Sequence, residues 1–265
     1  MAAAILMMNM QGAVMAADKD STIFRYSDKV PFALITDPTS KLPWDDIWNE
    51  FRLSFQMIDD YVDTFITFMR DRLSKEEKNI SKEQIVLVYY QPNKIFPESH
   101  SLFLEMIDGE LIIEVDEQDS IISAFHTTHV QRIGDFENMS TLLDGSINNM
   151  RKDLLDKFND LRDSIIDSTK NGKQKLKIDF AFSEIKPEVE TLIQTYHEKY
   201  EEGIFKAISC SHIEDMVRMA ENLVDAEGQQ HHLQHPDEET TKTKEIATVT
   251  LAEGFRWIKH SLYGA

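Results

Sequence analysis

The sequence predicts an α+β fold in a single domain, with helices packed on sheets. Three features point there. Both ends of the 265-residue chain read as paired strands, and residues 84–115 return to short β-branched or aromatic runs. Between these lie long segments whose apolar residues recur every three or four positions. No internal repeat and no composition break fit for a linker interrupts the chain, and its length suffices to bury a full core.

The opening stretch, MAAAILMMNMQGAVMAADKDSTIF, is apolar enough to resemble an export signal, and Met15-Ala16-Ala17 resembles a cleavage site. A signal needs a positive charge before its apolar run, yet no Lys or Arg precedes Lys19. Asn9, Gln11 and Gly12 break the run, which is also too short to cross a bilayer. A hairpin is the better reading: Ala2 to Met8 as one strand, Gln11-Gly12 as a turn with φ > 0 open to it, and Ala13 to Ala17 as the return. STIFRYSDKVPFALIT then reads as a short strand pair containing Pro31.

From Pro43 to Leu73 the period changes. Trp44, Ile47, Phe51, Phe55, Ile58, Val62, Phe65, Met69 and Leu73 form one apolar stripe, expected as one long helix. Pro43 suits its first position, Asp45 and Asp46 its positive end, and Arg70 and Arg72 the other end. Its tryptophans read as core. EQIVLVYYQ, HSLFLEMID and ELIIEVDEQ follow as strands, the last two joined at Asp108-Gly109. Residues 136–170 read as helix through Leu154, Phe158, Leu161 and Ile165. KQKLKIDFAFS reads as a strand or irregular link, Pro187 as the opening of a further helix, and Ile213 to Val224 as another. KEIATVTLAEGFRWIKH closes the chain as two strands hinged at Glu253-Gly254.

Asp and Glu outnumber Lys and Arg 47 to 28, a net charge of −19, which repels phosphate backbones and anionic membrane surfaces. Neither nucleic acid nor a membrane is therefore an expected partner. With one cysteine there is no intrachain disulfide, and the cytoplasm is the expected compartment. Cys210 itself reads as a small strand-end or helix-start residue rather than a nucleophile.

GAVMAADKDST followed by YSDKVPFALIT resembles the start of a proteasome β-subunit and its bacterial relatives among the N-terminal-nucleophile hydrolases. IGDFENMSTLLDG, with Gly134, is similar to the glycine-bearing segment before that family's second helix pair, and IATVTLAEGFRWIK to its last strands. The close match covers about the first 35 residues, and element order supports it more loosely beyond. The resemblance implies a four-layer αββα sandwich, two sheets face to face with helices outside, and a threonine-peptidase type of chemistry acting on peptides or proteins without a cofactor. It also implies homo-oligomeric assembly.

In that family a threonine at the start of the first strand attacks, with its own α-amine as base. A lysine beside a carboxylate lowers the amine's pKa and steadies the oxyanion. The resemblance places that pair on Asp18 and Lys29 and the nucleophile position on Ala2, once Met1 is removed. Ala2 has no hydroxyl, and no Thr, Ser or Cys precedes Ser21. The family's oxyanion glycine is missing too, since the third strand runs into LITDPTSK. The expectation is a peptidase homologue without activity in this form, or else an oligomeric scaffold or binding subunit of the same fold.

Three further features read as ordinary. His231, His232 and His235 with Asp237 and Glu238 could hold Zn²⁺ or Ni²⁺, but their spacing matches no metal motif and a polar loop is expected. His126 and His129 read as plain polar positions. Asn138 matches a glycosylation acceptor that a cytoplasmic protein would not use.

Overall fold

A computed structural model describes residues 2–20, 22–27, 30–55, 60–73, 82–107, 110–116, 120–134, 147–169, 171–237 and 242–260. The described strands are β1 (Ala3–Asn9), β2 (Gly12–Ala17), β3 (Ile23–Arg25), β4 (Phe32–Thr36), β5 (Glu83–Tyr89), β6 (Glu98–Ile107), β7 (Glu110–Val115), β8 (Ser120–Ile121), β9 (Thr128–Gly134), β10 (Glu245–Thr250) and β11 (Gly254–Lys259). The helices are α1 (Trp44–Ser54), α2 (Tyr61–Leu73), α3 (Ile147–Ser168), α4 (Gly172–Cys210) and α5 (Ile213–Gln234). The chain divides into two compact units, Met1–Met139 with Lys206–Ala265, and Ser140–Phe205.

The larger unit holds two antiparallel sheets. One has the order β11-β10-β2-β1-β9; the other runs β3-β4-β5-β6-β7, with β8 on β6. Period-2 alternation assigns every strand two faces. Ala4, Leu6 and Met15 of the first sheet share a core with Ala33, Ile35, Val86 and Val88 of the second. The intervening residues of the second sheet, among them Phe32, Leu34, Ile85, Leu87 and Tyr89, share another with Trp44, Trp48, Phe51, Phe65 and Met69 of α1 and α2. The two tryptophans are core residues, as expected. On the first sheet, α5 packs on β1, β2 and β10. Both faces of the opening hairpin are thus covered, and every residue of β1 and β2 is buried. This explains why the stretch reads as continuously apolar instead of alternating.

The hairpin is present, but its turn lies one residue earlier than expected. Asn9 pairs with Gly12, leaving Met10 and Gln11 as the two-residue loop. Gln11 N–H donates to Asn9 Oδ1 at 2.9 Å. Among the described glycines only Gly134 and Gly254 have positive φ, so Gly12 is not needed for turn conformation. It is needed for space: a Cβ there would stand 2.7 Å from Val249 O of β10.

The expected helix over 43–73 is two helices. Phe55 is extended, with φ −127°, and its ring packs on Phe51 and Phe68 while its carbonyl accepts the Tyr26 hydroxyl. Burial raises the pKa of that hydroxyl, though the Arg52 charge opposes the shift. One stripe serves both helices because both lie on the same sheet face. KQKLKIDFAFS is helical, and Pro187 lies inside α4 rather than opening a helix. The local alternation of IDFAF is overruled by a longer period: Ile178, Phe182, Val189 and Ile193, at helical spacing, are all half-buried. Phe182 meets Phe158 of α3 at 5.0 Å. Pro187 and Ser183 are both exposed, so the carbonyl that loses its amide partner has water in reach.

The closing strands pair as expected, hinged where Gly254 has φ +69°. Cys210 is the exposed last residue of α4, not a strand end or helix start. Asp108-Gly109, residues 136–146 and Asn138 lie outside the described residues. No described helix is long and apolar enough to cross a membrane.

Two predictions follow from this packing. Gly12→Ala forces β10 to shift and should cost roughly 1–3 kcal/mol in urea unfolding. Gly172→Ala, which meets nothing within 4 Å at the start of α4, should be neutral or stabilising. The second concerns His129 on β9. Burial lowers its pKa from 6.5 to about 4, against a hydrogen bond that the ring donates to the Gln131 side chain; His126 adds to the lowering and Asp116 opposes it. The unfolded chain therefore takes up the proton first, and His129's contribution, complete above pH 6.5, is lost as pH falls toward 4. Unfolding free energy measured at pH 7.5 and pH 5 should fall more in the wild type than in His129→Gln.

Candidate functional site

The start of β1 is positioned by three chain segments that sequence distance separates. Ala3 pairs with Gly134 on one side and, through one side-chain and one backbone hydrogen bond, with Asp18 on the other. Ala3 N–H donates to Asp18 Oδ1 at 2.9 Å, and Asp18 N–H donates to Ala3 O at 3.2 Å. Asp18 is 4% exposed, so its carboxylate is a structural acceptor held at the strand end. Its burial follows from position: it is the first residue after β2, directly across from the first residue of β1.

Gly134 has φ +84°, and a Cβ there would stand 2.7 Å from Ala2 O and 2.9 Å from Pro38 Cγ. Only glycine lets these three segments close on Ala2. The Pro38 segment is itself tightly tied. Thr39 N–H donates to Asp37 Oδ1 at 2.8 Å, Thr39 Oγ1 to the same oxygen at 2.6 Å, and Ser40 N–H to Asp37 O at 3.0 Å. Lys19 Nζ donates to Pro38 O at 2.7 Å. Below the turn, Ser40 Oγ donates to Glu83 Oε2 at 2.5 Å and accepts from Trp44 Nε1 at 2.8 Å. Burial raises the pKa of Glu83, while these hydrogen bonds pull it down.

This geometry limits the chemistry available beside Ala2. The alanine methyl cannot attack. In the turn where a family glycine would offer an oxyanion donor, Pro38 has no N–H, and the N–H groups of Thr39 and Ser40 are already engaged by Asp37. Of the residues expected at the site, the structure holds Asp18 beside the start of β1 through its bond to Ala3, the neighbour of Ala2; Lys29 lies outside the described residues. Lys19, Pro38 and the Asp37 turn were not anticipated. Asp-Pro-Thr-Ser is a turn signature, yet nothing local says that the turn packs against a strand thirty-five residues away.

The histidine cluster is not a loop. His231 and His232 lie in α5 and His235 caps it; His231 is buried, its ring 4.7 Å from that of His235. No group of three His, Cys, Asp or Glu suited to a metal ion occurs among the described residues. A separate cleft of about 310 Å³ lies between β3, α1 and β11, with Arg25, Arg52, Trp257 and His260 in its wall. Its floor includes Glu245, whose Oε2 accepts the N–H groups of Thr22 and Ile23.

Asp18→Ala should cost roughly 1–3 kcal/mol, since it strands the buried Ala3 N–H. Hydrogen exchange should locate the loss at the Ala3 amide, with the cleft residues unaffected. Among known proteins, no family model and no curated sequence matches this chain.

Proposed function

We propose that the chain has the four-layer αββα fold of the N-terminal-nucleophile hydrolases, in the manner of a proteasome β-subunit, and that in this form it is a peptidase homologue without turnover. The observation that carries the reading is the hairpin start: Ala2 leads into β1, an inner strand of its sheet, with the buried Asp18 bonded to the next residue, Ala3, and Gly134 closing over the Ala2 carbonyl. The helices α1 and α2 on one sheet and α5 on the other support the layered fold.

In this reading Lys29 joins Asp18 at the N-terminal amine and would lower its pKa, making the amine a usable base near neutral pH. What is missing is the hydroxyl, because Ala2 stands where the nucleophile belongs, and an oxyanion donor, because the Asp37 turn has its N–H groups engaged. Such a chain keeps fold and pocket while serving as a cytoplasmic homo-oligomeric scaffold or binding subunit. Peptides or proteins would be the substrates of an active form.

Ala2→Thr restores the hydroxyl. With its amine freed by methionine aminopeptidase, this variant should form a covalent adduct with a threonine-directed epoxyketone, read by intact-mass spectrometry, and Lys29→Ala in the same background should abolish it. Peptide turnover should stay slow, because one missing oxyanion donor costs on the order of a hundredfold. A free N-terminal threonine that gives no adduct would overturn the peptidase reading and leave the scaffold.

A further inference from the structure

Among the described residues of the smaller unit, α3 and α4 leave an apolar face that they do not cover. Phe158 meets Phe182, and Arg162 lies 4.0 Å from Asp179, so α3 and α4 run antiparallel along this stretch. Among the residues of this unit whose burial is described, none is buried. A two-helix hairpin in that condition gains too little from packing to hold long helices by itself.

Leu176, Phe180 and Phe205, 72%, 63% and 41% exposed, fall on another side of α4 by helix spacing, but four other uncovered residues are regular. Leu154 and Leu161 are 43% and 55% exposed, and Ile185 and Leu192 are 47% and 59% exposed. Each pair is seven residues apart, the spacing that keeps a stripe facing a partner helix. With Phe158 and Phe182 turned toward each other, helix geometry puts both pairs about a sixth of a turn off the contact, on the same side of the hairpin. The result is one two-residue stripe on each helix, each about 10 Å long at 1.5 Å per residue.

Charge identifies the occupant. The unit Ser140–Phe205 carries ten Lys and Arg against thirteen Asp and Glu, a net −3, whereas the rest of the chain carries −16 of the total −19. Two copies of so acidic a protein repel each other nearly everywhere, and least at this hairpin. Paired stripes on a near-neutral two-helix element are self-complementary under a two-fold axis. We propose that the face bearing Leu154, Leu161, Ile185 and Leu192 docks on the same face of a second copy of this chain, making a four-helix bundle. This is independent of the hydrolase reading, since it uses no residue near Ala2.

The test is the mass of the full-length chain by light scattering behind a sizing column, at micromolar concentration. The wild type should give at least twice 30.7 kDa. Leu161→Glu combined with Leu192→Glu should at least halve the mass of whatever the wild type forms. Helical circular dichroism should be unchanged, because glutamate is nearly as good a helix former as leucine. A wild-type mass of 30.7 kDa overturns the proposal, as does a double variant that assembles like the wild type. If the double variant loses helix, cysteine cross-linking decides. In a Cys210→Ser background, Leu161→Cys should give a covalent dimer with a short bismaleimide and Asp156→Cys, on the far side of α3, should not. Equal cross-linking at both positions, or none at either, also overturns the proposal.

Discussion

The larger unit is organised around a hairpin that must be buried on both faces. Residues 3–8 and 13–17 are alanines, methionines and branched aliphatics, all fully buried between a second sheet and α5. Alanine allows close approach, and methionine fills the irregular space that remains. Asn9, fully buried at the tip, ties this hairpin to the end of α4: its Nδ2 donates to Ile208 O at 3.0 Å and to Ser211 O at 2.9 Å. A buried amide with both donors and its oxygen used is costly to disturb. It also anchors the chain where α4 gives way to α5, so the helix covering the sheet starts in the right place.

The same burial shapes the site. Because β1 begins inside the sheet, its first backbone N–H needs an acceptor, and Asp18 supplies one. The carboxylate that family resemblance would assign to catalysis thus also has a structural duty, and the two roles are compatible. The Asp37 turn differs. Its internal hydrogen bonds stiffen the loop and leave it without the free N–H groups that stabilise a developing oxyanion. Under the proposed reading, the missing hydroxyl at position 2 and the engaged turn point the same way.

The two units differ in how they are stabilised. In the larger one, apolar side chains close into two continuous cores on either side of the second sheet. In the smaller one, α3 and α4 offer heptad-spaced apolars with no buried residue among those whose burial is described, and charge there is nearly balanced. The distribution of −19 is therefore a structural fact about where this chain tolerates close approach, as well as a solubility device.

Most elements were legible from local pattern: the opening hairpin, the Ile23–Thr36 strand pair, the three strands of 83–115 and the closing pair all follow from period and turn chemistry. Errors arose where tertiary contact outweighs the local signal. The stripe through Phe55 continues across a break, because stripe continuity records a shared sheet face and cannot report that Phe55 O is taken by Tyr26. IDFAF alternates like a strand, yet Phe182 has Phe158 to meet only if the segment is helical. Gly12 reads as a turn glycine by its neighbours, while its real constraint, Val249 O, lies 237 positions away in sequence. By itself, then, the sequence determined the α+β class, most strands and the absence of a hydroxyl at position 2. Only the tertiary structure decided that Asp18, Gly134 and the Pro38 turn converge on Ala2. Periodicity is a property of neighbours along the chain; convergence depends on strand register and sheet packing, which join residues that no local pattern links.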